Sequence, residues 1–391
     1  MKAAIATGTG ITVVEVPEPV PGPGQVLAAP LATGICGSDL HLAEALRALA
    51  DAAPPIVMGH EFCAGILEHG PGTTTRLPVG TRVVSVPYAD GPAGPEGLGL
   101  SPVLAGAFAE RMVLQESLLL PVPDGLPDDH AALTEPLAVG LHAMRAARPE
   151  AGQVALVVGC GPIGLAVIAA LKAEGHGPVI AADYAPARRL MAERLGADVV
   201  VDPAVSSPYG RWSDLGVTEH PPSPLLPAGL DRPGDVVAFE CVGVPGVIQQ
   251  IIDGVPRHTR IVVVGACMPP DTITPVAAIL KEVSLTFVYA YRPDEFAQAL
   301  DLLATGQVNM AALVTGHVVL DGVARAFGDL REPGHHVKII VRPNDLNGGG
   351  YGHSRVPAAA IPGSRLPHRP RRPRQSPAPV CGNDIGATFM S

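Results

Sequence analysis

The sequence predicts an α/β protein in which a β-rich N-terminal domain is joined to a domain built on a doubly wound parallel sheet. Up to about Arg148, short apolar runs are separated by Pro and Gly, which is typical of a loop-rich all-β domain. From Val154 onward, apolar runs alternate with helical patterns, as expected for a parallel sheet covered on both faces. At 391 residues, the chain is long enough for two domains.

The elements can be placed in order along the chain. The clearest strands of the first domain are 82–86 and 112–114. In the second, apolar runs predict strands at Val154–Val158, Val179–Ala182, Val199–Val201, Val236–Glu240 and 261–265. Helices are predicted at 163–174, 186–195 and 293–305, and a closing strand at 337–341.

Two segments fall outside this pattern. Residues 203–234 are rich in Pro, Ser and Gly, so we expect an extended surface insertion with one short helix around Trp212. Residues 344–391 have little apolar content and are predicted to form a disordered tail. Its basic cluster at 368–374 is interpreted as solvated rather than as a binding site.

Composition excludes several classes of function. Lys and Arg number 27 against 37 Asp and Glu, and a net charge of −10 disfavours nucleic acid and anionic membrane partners. The uncharged stretch 154–171 is almost long enough to cross a bilayer, but its glycines and proline predict a strand, a turn and a helix instead. Six cysteines without a CxxC pair do not form a disulfide framework, and no secretory signal is visible, so we expect a cytoplasmic protein.

A glycine-rich turn follows the predicted strand Val154–Val158. Gly159 permits the tight turn, Gly161 lets the backbone approach a pyrophosphate, and Gly164 lets helix and strand pack closely. With Pro162 and Ile163, these residues open a helix whose N-terminus offers free N–H groups to phosphates. The context predicts a dinucleotide site.

The nucleotide is expected to be NAD. Asp183 ends the next strand about 20 residues further on, where a carboxylate binds the adenine ribose hydroxyls and repels a 2′-phosphate. Arg188 and Arg189 leave NADP open, because a guanidinium could hold that phosphate. Further cofactor contacts are expected at Val242, Val264, Gly265, Ala266, Val288, Tyr289 and Ala290.

Cys36, His60 and Glu61 form a candidate metal site. A thiolate, an imidazole and a carboxylate suit zinc, and three protein ligands with an open position characterise catalytic sites. Taken singly, each has an ordinary explanation as a buried thiol, a core histidine or a surface acid. The predicted nicotinamide site in the same chain favours the interpretation of these residues as a metal site. Glu135, in an otherwise apolar stretch, is a further candidate, because a buried acid is costly unless it is paired or near a cation.

Five motifs in order over residues 1–343 resemble the medium-chain zinc-dependent dehydrogenases. This resemblance implies a GroES-like catalytic domain, 1–148 completed by about 295–343, and a Rossmann domain, 149–294. The TEPLAVG form is similar to the branch that acts on polyols, butanediol and threonine. The motifs are GICGSDLH (34–41), GHEF (59–62), GAFAERM (106–112), TEPLAVG (134–140) and VVGCGPIG (157–164).

The resemblance implies that Cys36 and His60 bind zinc, with either Glu61 or Glu135 as the third protein ligand. Many relatives hold a second, structural zinc with four cysteines, but this chain has none between Cys63 and Cys160, so one zinc per chain is expected.

Two departures from the pattern of the relatives bear on the choice of substrate. Ala290 stands where polyol-oxidising relatives tend to carry an arginine, which favours a diol, an acyloin or a simple secondary alcohol. The Ala-rich stretch 43–53, helical in pattern, replaces a short loop near the substrate entrance. The sequence does not identify the alcohol.

The implied chemistry is an alcohol oxidation in which zinc acts as a Lewis acid and the nicotinamide accepts hydride. Ser38 and His41 could relay the released proton to water. Alternatively, Ser38 caps a helix that begins at Asp39.

Two other functions remain open on the same scaffold. One is a zinc-free, NADPH-dependent quinone or enoyl reductase, and the other is a protein that keeps the fold without catalysis. The joint presence of Cys36, His60 and Glu135 counts against the reductase, and the filling of every expected catalytic position counts against the non-catalytic protein. By the resemblance, a homodimer or homotetramer is expected to pair through an edge strand near 284–291.

Overall fold

A computed structural model describes residues 1–92, 94–217, 235–332, 334 and 336–345. The predicted tail lies outside the described residues except for Asn344 and Asp345. Residues 218–234 of the predicted insertion also lie outside them.

The N-terminal part is mainly β-structure with three α-helices. Its helices are α1 (Gly37–Leu49), α2 (Asp128–Ala131) and α3 (Thr134–Ala147). Its strands are β1 (Lys2–Thr7), β2 (Gly10–Glu15), β3 (Gln25–Gly34), β4 (Ile56–Val57), β5 (Glu61–His69), β6 (Arg82–Ser85), β7 (Tyr88–Gly91), β8 (Gly94–Gly97), β9 (Met112–Gln115) and β10 (Leu119–Pro121).

The following part alternates strands and helices. It contains β11 (Val154–Val158), α4 (Pro162–Ala173), β12 (Val179–Ala182), α5 (Pro186–Arg194), β13 (Val199–Val201), β14 (Val236–Glu240), α6 (Val247–Gly254), β15 (Arg260–Val263), α7 (Pro275–Lys281) and β16 (Ser284–Phe287). The last elements are α8 (Pro293–Ala304), β17 (Val314–Val318), α9 (Val323–Arg331) and β18 (Lys338–Val341).

The strands from β11 to β16 form one parallel sheet. Its order is β13-β12-β11-β14-β15-β16, so the chain starts in the middle and winds outward in both directions. Buried apolar residues fill β11 and β14, because helices cover the sheet on both faces. The predicted α/β class with a doubly wound parallel sheet is confirmed.

The β-rich part holds a larger sheet, β10-β6-β5-β3-β18-β17, with β9 also paired to β3. Strand β18 runs antiparallel to β3, with Ile340 opposite Gly34, so the end of the described chain returns to the N-terminal sheet. On this pairing we propose the domain limits expected from the sequence, 1–148 with 295–343 and 149–294.

Helix α3 brings the two parts together. It packs along α4, and a Cβ added to Gly140 would lie 2.5 Å from the carbonyl carbon of Ala166, so only glycine allows this approach. The start of α3, which carries Glu135, is thereby fixed beside the helix that follows the glycine-rich turn.

Trp212 departs from the expected surface insertion. Two short 3₁₀ turns, Pro208–Arg211 and Ser213–Leu215, flank it, and its side chain is buried. The indole N–H donates to the carbonyl of Gly254 over 3.1 Å. The short helical turns around Trp212 agree with the prediction, whereas the burial of its side chain depends on a partner in α6 that the local sequence does not indicate.

In the described part of the chain, no helix combines the length and the apolar character needed to cross a bilayer. The uncharged stretch 154–171 forms β11, the glycine turn and most of α4, as predicted. The five cysteines among the described residues are free thiols.

Asp129 joins three elements, so we expect Asp129→Asn to destabilise the fold. Its carboxylate accepts hydrogen bonds from His317 of β17 over 2.6 Å and from Arg342, after β18, over 2.7 Å. Burial alone raises the pKa of Asp129, but these two partners outweigh it and hold the pKa below its usual value. The substitution should lower the free energy of unfolding by about 1–3 kcal/mol at neutral pH.

The pH dependence checks this cause. Because the folded pKa is depressed, the stabilisation is present above the unfolded pKa of about 3.9 and is lost as the pH falls through the folded pKa. Urea unfolding should show the variant and the wild type converging in acid. Asp51→Asn, at an exposed position, is the control. A difference that does not change with pH would contradict the electrostatic explanation.

Candidate metal and dinucleotide site

Cys36 lies between β3 and α1, at the cap position of the helix. Its backbone N–H donates to the Asp39 carboxylate over 2.9 Å, so Asp39 fixes the first turn. Helix α1 begins at Gly37, earlier than the predicted 43–53, and ends in a 3₁₀ turn at Ala50–Ala52. Ser38 therefore lies inside the first turn, and the alternative in which it caps a helix starting at Asp39 does not hold.

His60 and Glu61 enter the site through a strained turn. Gly59 has φ +101°, and a Cβ there would lie 2.8 Å from the Phe108 ring. The GAFAERM segment holds this turn, because the N–H of Phe108 donates to the carbonyl of Met58 over 2.9 Å. The GHEF and GAFAERM motifs thus form one local structure that aims His60 and Glu61 inward.

The structure brings Cys36, His60 and Glu61 together. One ligand atom from each lies within 4.8 Å of the others, and they are the one such group of three among the described residues. His60 and Glu61 are buried, while Cys36 is half-buried. A thiol, an imidazole and a carboxylate converging beneath the surface fit the donor set of zinc.

The side chains of Asp39 and Ser38 flank the His60 ring. Its Nδ1 lies 3.3 Å from Asp39 Oδ1, and its Nε2 lies 3.3 Å from the Ser38 hydroxyl. Neither His60 Nδ1 nor Asp39 Oδ1 has an aligned hydrogen bond. Burial by itself lowers the pKa of His60, but Asp39 and Cys36 outweigh it and raise the pKa. The surroundings of His60 therefore favour a positive charge. His41, one turn beyond Ser38, is half-buried.

Lys338 is a site residue that sequence reasoning missed. Its ammonium donates to both Glu61 oxygens, over 2.8 and 2.7 Å, and to the carbonyl of Ile35 over 3.1 Å. Lys338 and Glu61 are both 0% exposed. A Cβ on Gly34 would overlap the Glu61 carboxylate, so that glycine makes room for the pair. The one available signal was a lysine within the apolar closing strand.

Glu135 lies near this group but outside it. Burial raises its pKa to about 7, although the charges of His60 and Lys338 oppose that shift. Its carboxyl accepts a hydrogen bond from the hydroxyl of Tyr291, whose ring stacks on Phe296. The positive charge of Lys338 thus compensates the negative charge of Glu61 directly, whereas the hydrogen-bond partner of Glu135 is the neutral Tyr291.

The glycine-rich turn has the predicted geometry. Gly159 has φ +93°, Gly161 precedes the first turn of α4, and Pro162 occupies its start. A Cβ on Gly164 would overlap the carbonyl oxygen of Gly159, which leaves room for glycine alone. Ile163 follows on the same first turn, so free N–H groups face the end of β11.

Asp183 follows β12 beside this turn. It accepts the N–H of Cys160 over 2.8 Å and that of Ala185 over 2.7 Å. Arg188 lies 3.8 Å from its carboxylate, and Arg189 is paired with Asp202 over 2.9 Å. An acid therefore engages Arg189 directly, whereas Arg188 lies near one without a hydrogen bond to it.

The remaining predicted cofactor contacts follow three neighbouring strands. Tyr289 is largely exposed, and its hydroxyl bonds that of Tyr88 on β7. Ala290 has φ +54°, unusual for a residue with a Cβ. Their positions are after β14 (Val242), after β15 (Val264, Gly265 and Ala266) and after β16 (Val288, Tyr289 and Ala290).

Two family models match the chain, an alcohol dehydrogenase GroES-like domain over residues 22–124 and a zinc-binding dehydrogenase over residues 162–305. The (R,R)-butanediol dehydrogenase of Bacillus subtilis (strain 168) is 36% identical over 352 residues, covering 85% of this chain and 97% of the relative. The chain belongs to the medium-chain zinc-dependent alcohol dehydrogenase family. The resemblance drawn from the five motifs is confirmed.

Two further comparisons support the same family for this dehydrogenase. A sorbitol dehydrogenase of Halalkalibacterium halodurans is 31% identical over 366 residues, covering 88% of this chain and all of the relative. The crystal structure of 2R,3R-butanediol dehydrogenase from Bacillus subtilis superposes with a TM-score of 0.73 at 34% identity, covering 88% of this chain and 99% of that one. The predicted GroES-like and Rossmann combination is confirmed, as is the assignment to the sorbitol and butanediol branch of these oxidoreductases.

Proposed function

We propose that this dehydrogenase transfers hydride between a small secondary alcohol or diol and NAD, with one catalytic zinc per chain. The observation that carries the proposal is the convergence of Cys36, His60 and Glu61 in a chain that also has a dinucleotide turn. The relatives named for butanediol and sorbitol favour a diol or a related secondary alcohol. We propose Glu61 or Glu135 as the third protein ligand.

The residues of the site have distinct tasks in this proposal. Bound zinc would act as a Lewis acid that lowers the pKa of an alcohol. Cys36 and His60 would hold the ion, and Asp39 would keep the His60 ring oriented, as a carboxylate beyond the ligands commonly does. Lys338 balances the charge of Glu61 when it is not bound to metal. Glu135, whose pKa burial raises to about 7, can hold or release a proton near neutral pH.

We propose that Ser38 and His41 pass the alcohol proton to solvent. Ser38 lies 3.3 Å from His60 Nε2, and His41 is half-buried one turn further along α1. His41→Gln is expected to slow turnover by about 10- to 100-fold and to shift its pH dependence, because the last acceptor is lost. Steady-state rates between pH 6 and pH 10 measure this. Unchanged profiles would remove His41 from the path.

NAD rather than NADP is proposed because Asp183 occupies the ribose end of the site. Arg188 lies 3.8 Å from that carboxylate and is less available for a phosphate than a free arginine. We also propose a cytoplasmic protein, and the net charge of −10 disfavours nucleic acid and anionic membrane partners.

The test of the function is metal removal with a substrate panel. Dialysis against a strong chelator should abolish alcohol oxidation, and zinc should restore it at about one ion per chain by elemental analysis. The panel compares vicinal diols, acyloins and simple secondary alcohols with NAD and NADP. Full activity in metal-free protein would refute the proposal. Reduction of quinones or enones by NADPH without zinc would establish the alternative reductase.

We propose a homodimer or homotetramer whose subunits pair through the edge of the parallel sheet. Strand β16 pairs only with β15 among the described strands, and its Phe287 is 68% exposed. Ile279 and Leu280 of α7 are also exposed. An exposed apolar edge favours association with another copy.

Phe287→Glu is therefore expected to yield monomers, because a charge would be buried in the paired edge. Light scattering coupled to size exclusion measures the mass. Val205→Glu, at an exposed position on another segment, should leave the oligomer intact. A wild type that is monomeric, or a variant with the wild-type mass, would contradict this interface.

A further inference from the structure

Glu240 is a buried acid that the proposed reaction does not use. It ends β14 and is 1% exposed. Its Oε1 accepts the N–H of Val242 over 2.8 Å and that of Gly243 over 2.9 Å. Its backbone carbonyl accepts the N–H of Val264 over 2.9 Å and that of Gly265 over 3.0 Å. One residue thus ties together the loops that follow β14 and β15.

These two loops interlock around the Glu240 side chain. A Cβ on Gly265 would lie 2.6 Å from Glu240 Oε2, and one on Gly243, which has φ +72°, would lie 2.8 Å from the backbone of Ala266. The first loop also backs the glycine-rich turn, since a Cβ on Gly159 would lie 2.7 Å from a Val242 methyl group. Because of these close contacts, a shift of one loop would displace the other.

The strand order places the two loops that Glu240 joins on one side of the dinucleotide site. The glycine-rich turn follows β11, and Asp183 follows β12 on one flank. Strands β14 and β15 lie on the other flank. With the pyrophosphate at the turn and the adenine ribose at Asp183, the nicotinamide half must extend over the ends of β14 and β15.

We propose that Glu240 is a positioning residue for the nicotinamide half of the cofactor. By accepting the two loop amides, its carboxylate fixes the backbone on which that half rests, while the adenosine half depends on the β11 and β12 side. This inference rests on the proposed use of a nicotinamide dinucleotide.

The test compares the binding of NADH and of ADP, which lacks the nicotinamide half, by calorimetry in the zinc-loaded enzyme. Glu240→Ala should weaken NADH binding by at least about tenfold, because two loop amides, of which that of Gly243 is buried, lose their acceptor. ADP binding should fall much less than NADH binding, since most of its contacts lie on the other flank and the Val242 loop only backs the glycine-rich turn. Glu240→Gln keeps an oxygen acceptor and should recover most of the NADH affinity. Hydrogen exchange should quicken at Val242 and Gly243 in the alanine variant alone.

Glu116→Ala is the matched control. Glu116 is also buried and accepts a loop N–H, that of Thr74, over 2.7 Å, but it belongs to the β-rich part. Its loss should leave NADH affinity unchanged. If Glu240→Ala does not fold, Glu240→Asp, which draws the carboxylate back by one methylene, carries the same expectation.

Wild-type NADH affinity in the variant, or an equal loss of ADP and NADH affinity, would overturn the role of Glu240. Failure of the wild type to bind NADH would instead refute the proposed cofactor.

Discussion

Replacing Cys36 with Ala is expected to remove the bound zinc and to lower alcohol turnover by more than about 100-fold. Loss of residues that merely orient metal ligands commonly costs about 10- to 100-fold, so loss of a ligand should cost more. The thiolate is one of three groups that lie within 4.8 Å of one another. Zinc per chain, by elemental analysis, and kcat at saturating alcohol are the measurements.

Cys63→Ala is the matched control for this substitution. Cys63 is a buried thiol outside the group of three, and its Sγ faces Asp128 at 3.6 Å. This variant should retain a full zinc complement. NADH binding should survive in both variants, because the dinucleotide turn is formed by other residues. Wild-type zinc content in Cys36→Ala would exclude the cysteine as a ligand.

The parallel sheet was predictable because its strands are continuous apolar runs. The bounds of β11 and β14 agree with the sequence expectation, since burial on both faces requires apolar residues throughout. The end of β15 differs. The sequence predicted residues 264 and 265 as strand, but they lie in the loop after β15, where both N–H groups donate to the carbonyl of Glu240 at the end of β14. Apolar composition alone does not reveal that change of partner.

The start of α1 shows the same limit. The Ala-rich stretch 43–53 carries a clear helical signal, whereas the first turn of the observed helix is polar. That turn forms because Asp39 accepts the N–H of Cys36, which is a local contact rather than a hydrophobic pattern. The sequence therefore indicated the helix but placed it too late.

The metal group was foreseeable from its residue types, but its charge balance was not. Lys338 and Glu61 are 277 positions apart and meet because β3 pairs with β18 on one side and with β5 on the other. No spacing rule connects them. For the same reason, sequence could not choose between Glu61 and Glu135, whose difference lies in their partners.

Replacing Lys338 with Met is expected to destabilise the zinc-free protein by about 3–5 kcal/mol, because Glu61 would remain buried without its cation. Urea unfolding of chelator-treated protein measures the loss. The double variant Glu61→Gln/Lys338→Met removes both charges and should recover most of the stability. If the double variant is as unstable as the single one, the lysine acts through packing rather than charge.

Zinc extends this experiment to the choice of ligand. In Lys338→Met, a zinc ion would be the compensating cation for Glu61, so zinc should stabilise the variant more than the wild type if Glu61 turns to the metal. If Glu135 is the third ligand, Glu61 gains little, and zinc should stabilise both proteins equally. The difference in zinc-induced stability between the two proteins therefore reports which carboxylate coordinates, without depending on turnover.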